Sequence, residues 1–404
     1  MDINLTCRFK YQFGQADLDC RLIQNPDCSI YITVEVPFSA HPYSWEKCCI
    51  ESIPSSTRLL LTPVQGYAVQ KTIPFPLQSK INVKLAEAEL KEAILPNEQD
   101  LVTMRAYPTH IPYWNIPNRP YQLKLFDKRI TIRPHSEGLI THIAEIENIQ
   151  FSEYTRFQTI IEQLYWLVSF ASGRLCKCCR FEIVKDSNPV LINAVTPDIS
   201  IGEGKFVIRE DGYSKEITKF VEQSVDPFVR LDPVYQLINL IHINTVSKDF
   251  GYPDLNILLI ANFFEVIRYN FALNIGVPSG IYRRDGDDFK HTSGPRIGKN
   301  ASFLEIMSEF CRQNHINGWK SDYKDWRNEI IHTGKLSCSN SDKASRYFEL
   351  LHFCDKIILS LLDWDKVGGH YMPADKYPTY ITREIEPDGR IKFSEYLNLE
   401  IFVR

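Results

Sequence analysis

Residues 325–335 read DWRNEIIHTGK. Trp326, Ile330 and Ile331 have the apolar weight of a helix packed into a core, yet Arg327, Asn328 and His332 crowd the same stretch. On a helix turning about 100° per residue, Asp325, Asn328 and His332 share one stripe, and Trp326 and Ile330 lie on the far side. Arg327 falls about 140° from His332. One regular helix therefore does not bring the guanidinium and the imidazole together. A helix that starts near Arg327, a bend, or a second subunit is needed.

An arginine followed by a histidine after four to six intervening residues occurs five times in the chain, at Arg105/His110, Arg129/His135, Arg284/His291, Arg327/His332 and Arg346/His352. Spacing alone therefore carries nothing, and context decides. The first pair spans Pro108 and the second spans Pro134. The third lies in RRDGDDFKH, which reads as a loop, and the fifth lacks a neighbouring polar partner. Only Arg327 is followed directly by an asparagine and sits on an expected interior helix.

That helix belongs to a series. From about residue 230 to 366, VYQLINLIHINTVS, PDLNILLIANFFEVIRYNFALNIG, NASFLEIMSEFCRQN, SDYKDWRNEIIHTG and SDKASRYFELLHFCDKIILSLLDW carry helical periodicity. Asn300 and Ser321 are placed to cap, and Gly276 and Gly334 lie at ends. The expectation is an all-α domain over 226–366, with SVDPFVRLDP marking its start.

Residues 1–225 read as a β-rich domain. CSIYITVEVP, YQLKLFDKRITIRP, LITHIAEIENI, RFEIVKD and GKFVIRE alternate or cluster apolar residues as strands do, with frequent turns between, which favours a sandwich or open barrel. Within it, TRFQTIIEQLYWLVSFASG is a helix apolar nearly all round and so expected to be buried, with Thr155 and Gln158 as a capping box and Gly173 as its stop. In the segment 367–404, Pro387-Asp388-Gly389 separates two alternating runs, a β-hairpin signal. The fold class is α+β, multidomain.

RNEIIH within a bundle of about five helices resembles the R-x4-6-H motif of HEPN-domain ribonucleases, in which Asn commonly follows the Arg. A β-rich first half, a buried helix closing on ASGR, and a C-terminal HEPN domain together resemble the ApeA-type anti-phage proteins. The resemblance implies a metal-independent endoribonuclease without a cofactor, acting in abortive infection on cellular RNA, with tRNA as the expected target. It implies a homodimer or higher even oligomer whose cleft takes an Arg and a His from each subunit, here Arg327 and His332, with Asn328 as polar companion. It also implies a β-rich half that answers a phage-derived or infection-linked trigger. Gly334 stands where a subset of the family has Tyr, which argues against the nucleotidylylated, antitoxin-paired type.

Elsewhere, the stretch 282–299, YRRDGDDFKHTSGPRIGK, offers Arg283, Arg284, Lys290, Arg296 and Lys299 to an RNA backbone, diluted by Asp285, Asp287 and Asp288. Glu265 is read as solvated or capping, with a place in the same cleft as Arg327 and His332 as the alternative, and Asp325 as tuning His332 or capping its helix. The competing reading, from a different class, is a non-catalytic helical dimerisation module whose Arg327, Asn328 and His332 are structural.

Composition narrows the field. A net charge of −4 excludes a chain-wide basic field, and the longest clean apolar run, 164–171, is far short of a membrane span. MDINLTCRFKYQFG lacks the apolar stretch of a secretory leader, so the expected location is the cytoplasm. Eleven cysteines at irregular spacing read as reduced, mostly buried thiols. CKCC at 176–179, even with Cys48–Cys49, lacks the paired knuckles of a zinc site. No Walker A loop, G-x-S-x-G elbow or H-E-x-x-H occurs.

Overall fold

A computed structural model describes residues 1–11, 14–37, 47–53, 59–72, 78–109, 120–125, 128–137, 139–196, 207–208, 216–248, 253–364, 383–385 and 391–393. α-Helices and β-sheets are both present, divided between two compact units. One comprises Met1–Ile111, Ile116–Tyr165 and Cys176–Ile199; the other comprises Pro112–Asn115, Trp166–Leu175 and Ser200–Arg404.

The first unit is built on strand alternation. β1 (Asp2–Tyr11), β2 (Gly14–Gln24), β3 (Ile30–Pro37), β7 (Gln78–Leu85), β6 (Val64–Thr72) and β4 (Lys47–Ser52) pair in that order, and β4 returns to β1. The barrel is thus closed, where the sequence suggested a sandwich or an open barrel, and closure removes both unpaired edges. Leu5, Cys7, Phe9, Leu22, Ile32, Val34 and Val83 fill its core. An eight-stranded antiparallel sheet follows the order β10 (Tyr121–Leu125), β11 (Lys128–Glu137), β12 (Ile140–Gln150), β9 (Leu101–Pro108), β13 (Cys178–Lys185), β14 (Asn188–Val195), β8 (Glu87–Glu92) and β5 (Leu59–Leu61). Leu61, Leu90, Ile192 and Ala194 at the β5 end of this sheet join the barrel core in one apolar cluster. The stretch 204–210 was expected as a strand; Val207 and Ile208, its described residues, instead form a bend whose amides both bond the Ala171 carbonyl.

The buried helix is α1 (Tyr154–Ser172). Its first half is amphipathic, with Thr155, Arg156, Thr159 and Glu162 exposed, and from Leu167 onward it is buried all round. Thr155 and Gln158 form no capping box, because the helix begins one residue earlier and Gln158 donates to Glu162 at 3.2 Å. Gly173 ends it at φ +62°, the left-handed conformation that glycine takes without a Cβ clash.

The second unit is mainly helical. α2 (Glu216–Tyr235) contains Pro227 and Pro233, so the expected boundary at 225/226 falls inside a helix. α3 (Leu237–Val246), α4 (Pro253–Phe271), α5 (Phe303–Gln313), α6 (Asp322–Thr333) and α7 (Asn340–Leu361) follow. α4 runs on into a π turn, Ala272–Gly276. A Cβ on Gly276 would lie 2.4 Å from the Tyr282 ring, so this approach demands glycine. The expected all-α domain in fact carries a hairpin, β15 (Tyr282–Asp285) with β16 (Asp288–His291). α5 is capped by Ser302 in a reciprocal box with Glu305, while the expected cap, Asn300, bonds Asp288. A short antiparallel pair, β17 (Arg383–Ile385) with β18 (Ile391–Phe393), matches the expected C-terminal hairpin; its turn lies outside the described residues. Among the described residues no helix is long and apolar enough to cross a membrane.

The first unit also buries a charge network. Arg180, 5% exposed, lies 3.8 Å over the Tyr107 ring and pairs with Glu137 and Glu182, each at 3.1 Å. Burial pushes the Glu137 carboxyl up, but hydrogen bonds from the chain's α-ammonium, Arg180 and His135 outweigh it and hold the group down at about 2. A depressed carboxylate stabilises the fold above its unfolded value, 4.5, and that contribution fades as pH falls towards 2. Melting curves between neutral and acid pH should therefore show a shallower acid loss for Glu137→Gln than for the wild type. An unchanged slope would show that the network does not govern acid stability.

Candidate functional site

The opening cluster lies on α6, and the helix is unbroken. Asp322 and Asp325 stand in its first turn, where carboxylates complement the helix dipole, and Gly334 ends it at φ +72°. Ser321 precedes it in a helical conformation and gives no side-chain cap. Tyr323 and Ile330 are buried, and Trp326 is half-buried, stacked between the Tyr323 ring at 5.4 Å and the Arg346 guanidinium at 5.0 Å. The apolar face is the expected one.

Arg327 turns inward beside that face. Its side chain is 23% exposed and pairs with Glu265 of α4. Its Nη1 donates to Asn328 Oδ1 at 2.7 Å, and its guanidinium lies 5.1 Å from the Phe303 ring centre. Glu265 was expected to be solvated or capping. It is instead half-buried and shared, accepting from Arg268 Nε at 2.8 Å through its second oxygen. A polar residue inside the apolar run ANFFEVI was the available signal, but nothing in the sequence said which arginine it would meet.

His332 lies in the opposite situation. It is exposed, and no described residue makes a hydrogen bond, ion pair or ring contact with it. Asp325 is also exposed and makes no hydrogen bond or ion pair with a described residue, so it gives no side-chain cap to the helix. Since α6 starts five residues before Arg327 and runs without a bend, the five-residue step separates Arg327 and His332 by about 140° in azimuth and about 7.5 Å along the axis. Of the three ways to unite the pair, a second subunit is the one left.

The other basic residues assemble differently from expectation. The stretch 282–299 is largely the β15–β16 hairpin and a following turn, not an open loop. Lys290 is paired with Asp285, whose carboxyl that contact holds below its usual range, and Arg296 is paired with Glu305. Arg284 Nε donates to the Gly286 carbonyl at 2.9 Å. Arg283 and Lys299 are exposed and remain the most available of the five cations expected to meet RNA. Two of those five positive charges are therefore neutralised locally by carboxylates.

Beside the Glu265–Arg327 pair lies an open cleft of about 310 Å³, lined by Gln236, Glu265, Val266, Arg268, Tyr269 and Asn270. The volume is at the small end of the ~300–1,000 Å³ that ligand sites occupy. Among the described residues no group of His, Cys, Asp and Glu is arranged to hold a metal ion. Cys176 and Cys179 are buried thiols, and Cys178 is half-buried.

Two variants separate the roles of these residues by stability alone. Glu265→Ala leaves Arg327 and Arg268 without their shared carboxylate and should cost about 1–3 kcal/mol in denaturant unfolding. His332→Ala, which breaks no contact, should stay within about 0.5 kcal/mol of wild type. Family models, curated proteins and solved structures give no match to this chain.

Proposed function

We propose that this chain is a metal-independent endoribonuclease of the HEPN type, active as a two-fold dimer in which Arg327 of one subunit works with His332 of the other. The observation that carries the proposal is the contrast within α6: a guanidinium held in place by Glu265, Asn328 and Phe303, and an exposed imidazole that no described residue engages. A buried, fully paired His332 would have argued for a structural role. Pairing two copies through α6 also accounts for Ile331, exposed beside His332, and for Leu255 and Leu258, exposed on α4 against which α6 packs.

RNA supplies its own nucleophile, the 2′-hydroxyl, so the protein must move a proton and stabilise charge. The His332 imidazole takes the 2′-hydroxyl proton as the oxygen attacks phosphorus. The Arg327 guanidinium holds the non-bridging oxygens as negative charge builds. Asn328, bonded to Arg327, orients the guanidinium. The 5′-oxygen leaves with a proton, giving a 2′,3′-cyclic phosphate and a 5′-hydroxyl. In this account the N-terminal β-rich part restrains the helical part until an infection-linked trigger arrives in the cytoplasm, the C-terminal hairpin is an appendage, and the RNA attacked is tRNA.

A second reading has an observation of its own. Arg327 is already engaged within its chain by Glu265 and Asn328, as a structural arginine would be, although its buried Nε has no partner among the described residues. On that reading α6 is a dimerisation element without chemistry. Incubating total RNA with the purified protein in EDTA decides between them. The proposal expects discrete fragments with cyclic-phosphate ends, and cutting lower by about 10²-fold or more for Arg327→Ala and for His332→Ala. Equal cutting by all three proteins would place the chemistry elsewhere. Folded dimers that stay silent even with infected-cell lysate would favour the dimerisation element.

A further inference from the structure

The outer face of α4 is apolar along its whole length. At about 100° per residue, Leu255, Leu258, Leu259, Asn262, Val266 and Tyr269 fall within one stripe about 100° wide. Leu255 is 52% exposed and Leu258 37%, while Leu259, Val266 and Tyr269 are half-buried. Ile331, also exposed, extends the stripe onto α6, because it lies one turn and about 40° from Arg327, the residue that meets α4. Among the described residues of the helical unit, the exposed large aliphatic side chains are Leu255, Leu258, Ile331 and Ile297. All but Ile297, which lies in the turn after the β15–β16 hairpin, belong to this one surface. Apolar side chains gathered in this way mark a surface that another molecule covers.

Two separate measures place a two-fold axis at Asn262. The first lies within the stripe. Leu255 and Tyr269 stand seven residues to either side of Asn262, and Leu258 and Val266 stand four to either side. When two copies of α4 pack antiparallel about that residue, Leu255 of one meets Tyr269 of the other, and Leu258 meets Val266. The cleft lined by Val266 and Tyr269 then receives Leu255 and Leu258 of the second copy. Asn262 meets its own copy, and an amide can pair with another amide by donating and accepting once each way. It is exposed, and no described residue bonds it. A lone polar residue in an apolar seam also fixes register. The second measure comes from α6. Arg327 pairs with Glu265, and the Leu336 amide donates to Asp254 Oδ1 at 3.1 Å, so α6 runs antiparallel to α4. An axis that brings Arg327 of one copy to His332 of the other crosses α6 midway, between Glu329 and Ile330. Interpolated between the two contacts, that level on α4 falls at Asn262.

We infer that the outer face of α4 is the homodimer interface, with two α4 helices antiparallel across a two-fold axis at Asn262. The inference rests on the ribonuclease reading for its second measure, whereas the spacing about Asn262 stands without it. The occupant of the apolar face is a second copy of this chain, whose arrival completes each Arg327–His332 site.

The test needs no catalysis. A residue on a two-fold axis faces its own copy, so Asn262→Cys in the full chain should bring two thiols within the roughly 7 Å of Cα separation that a disulfide spans. Oxidised with copper phenanthroline and run on a non-reducing gel, this variant should give at least about tenfold more covalent dimer than wild type, whose native cysteines set the background. Leu255→Cys should stay at background, because it lies about 10 Å along the helix from the axis and about 20 Å from its copy. Leu255→Glu combined with Leu258→Glu changes two exposed positions, so the chain folds, and it should sediment as a monomer and lose RNA cutting. A monomeric wild type, Asn262→Cys at background, Leu255→Cys linked as readily as Asn262→Cys, or a double variant that stays dimeric would each overturn the inference. RNA cutting that still depends on Arg327 and His332 after such a failure leaves the ribonuclease standing on another interface. Dimers linked through position 262 that stay silent on RNA, even with infected-cell lysate, would sink the ribonuclease and leave the interface.

Discussion

One carboxylate organises the helical unit's polar centre. Glu265 projects from α4 and is shared by Arg268 of the same helix and Arg327 of α6. A guanidinium this far from solvent needs a counter-charge, because a half-buried cation left alone costs several kcal/mol. The pair therefore fixes where α6 lies on α4 and which way Arg327 points. Once Arg327 is committed to α4, the 3.6-residue period commits His332 to solvent. The exposed imidazole is thus a consequence of the ion pair as much as of the sequence around it.

This constraint also shapes the proposed chemistry. A phosphate arriving at Arg327 must compete with Glu265 and Asn328 for the guanidinium's N–H groups. Arg has five such groups in a rigid fork, so it can keep a carboxylate on one edge and offer another to a phosphate. The carboxylate then acts as the holder of a charge that it does not fully spend.

Much of this was legible in the sequence, for definite reasons. Helical periodicity located α3 to α7 because each buries an apolar stripe, and strict alternation located β3, β10, β11 and β12. The inward Trp326–Ile330 face followed from spacing alone, whereas spacing left open whether α6 starts late, bends or runs unbroken. What failed had physical causes. α2 was hidden because Pro227 and Pro233 read as breakers, although its buried Phe220, Val221, Val225 and Phe228 pack well enough to hold the helix through them. The β15–β16 hairpin was hidden because its turn, Gly286-Asp287, sits among charges that look like loop. Barrel closure and the Glu265–Arg327 contact join residues far apart in the chain, and local periodicity has no access to such pairings.

The composite arrangement is the central claim, and mixing two dead variants tests it most directly. Arg327→Ala and His332→Ala subunits, dissociated and re-paired one to one, form mixed dimers that each contain one intact Arg327–His332 site. If the site is shared across a two-fold axis, RNA cutting should return to about a quarter of the wild-type level. If each subunit carries its own complete site, or if the cluster has no chemistry, the re-paired mixture will be as inactive as either variant alone.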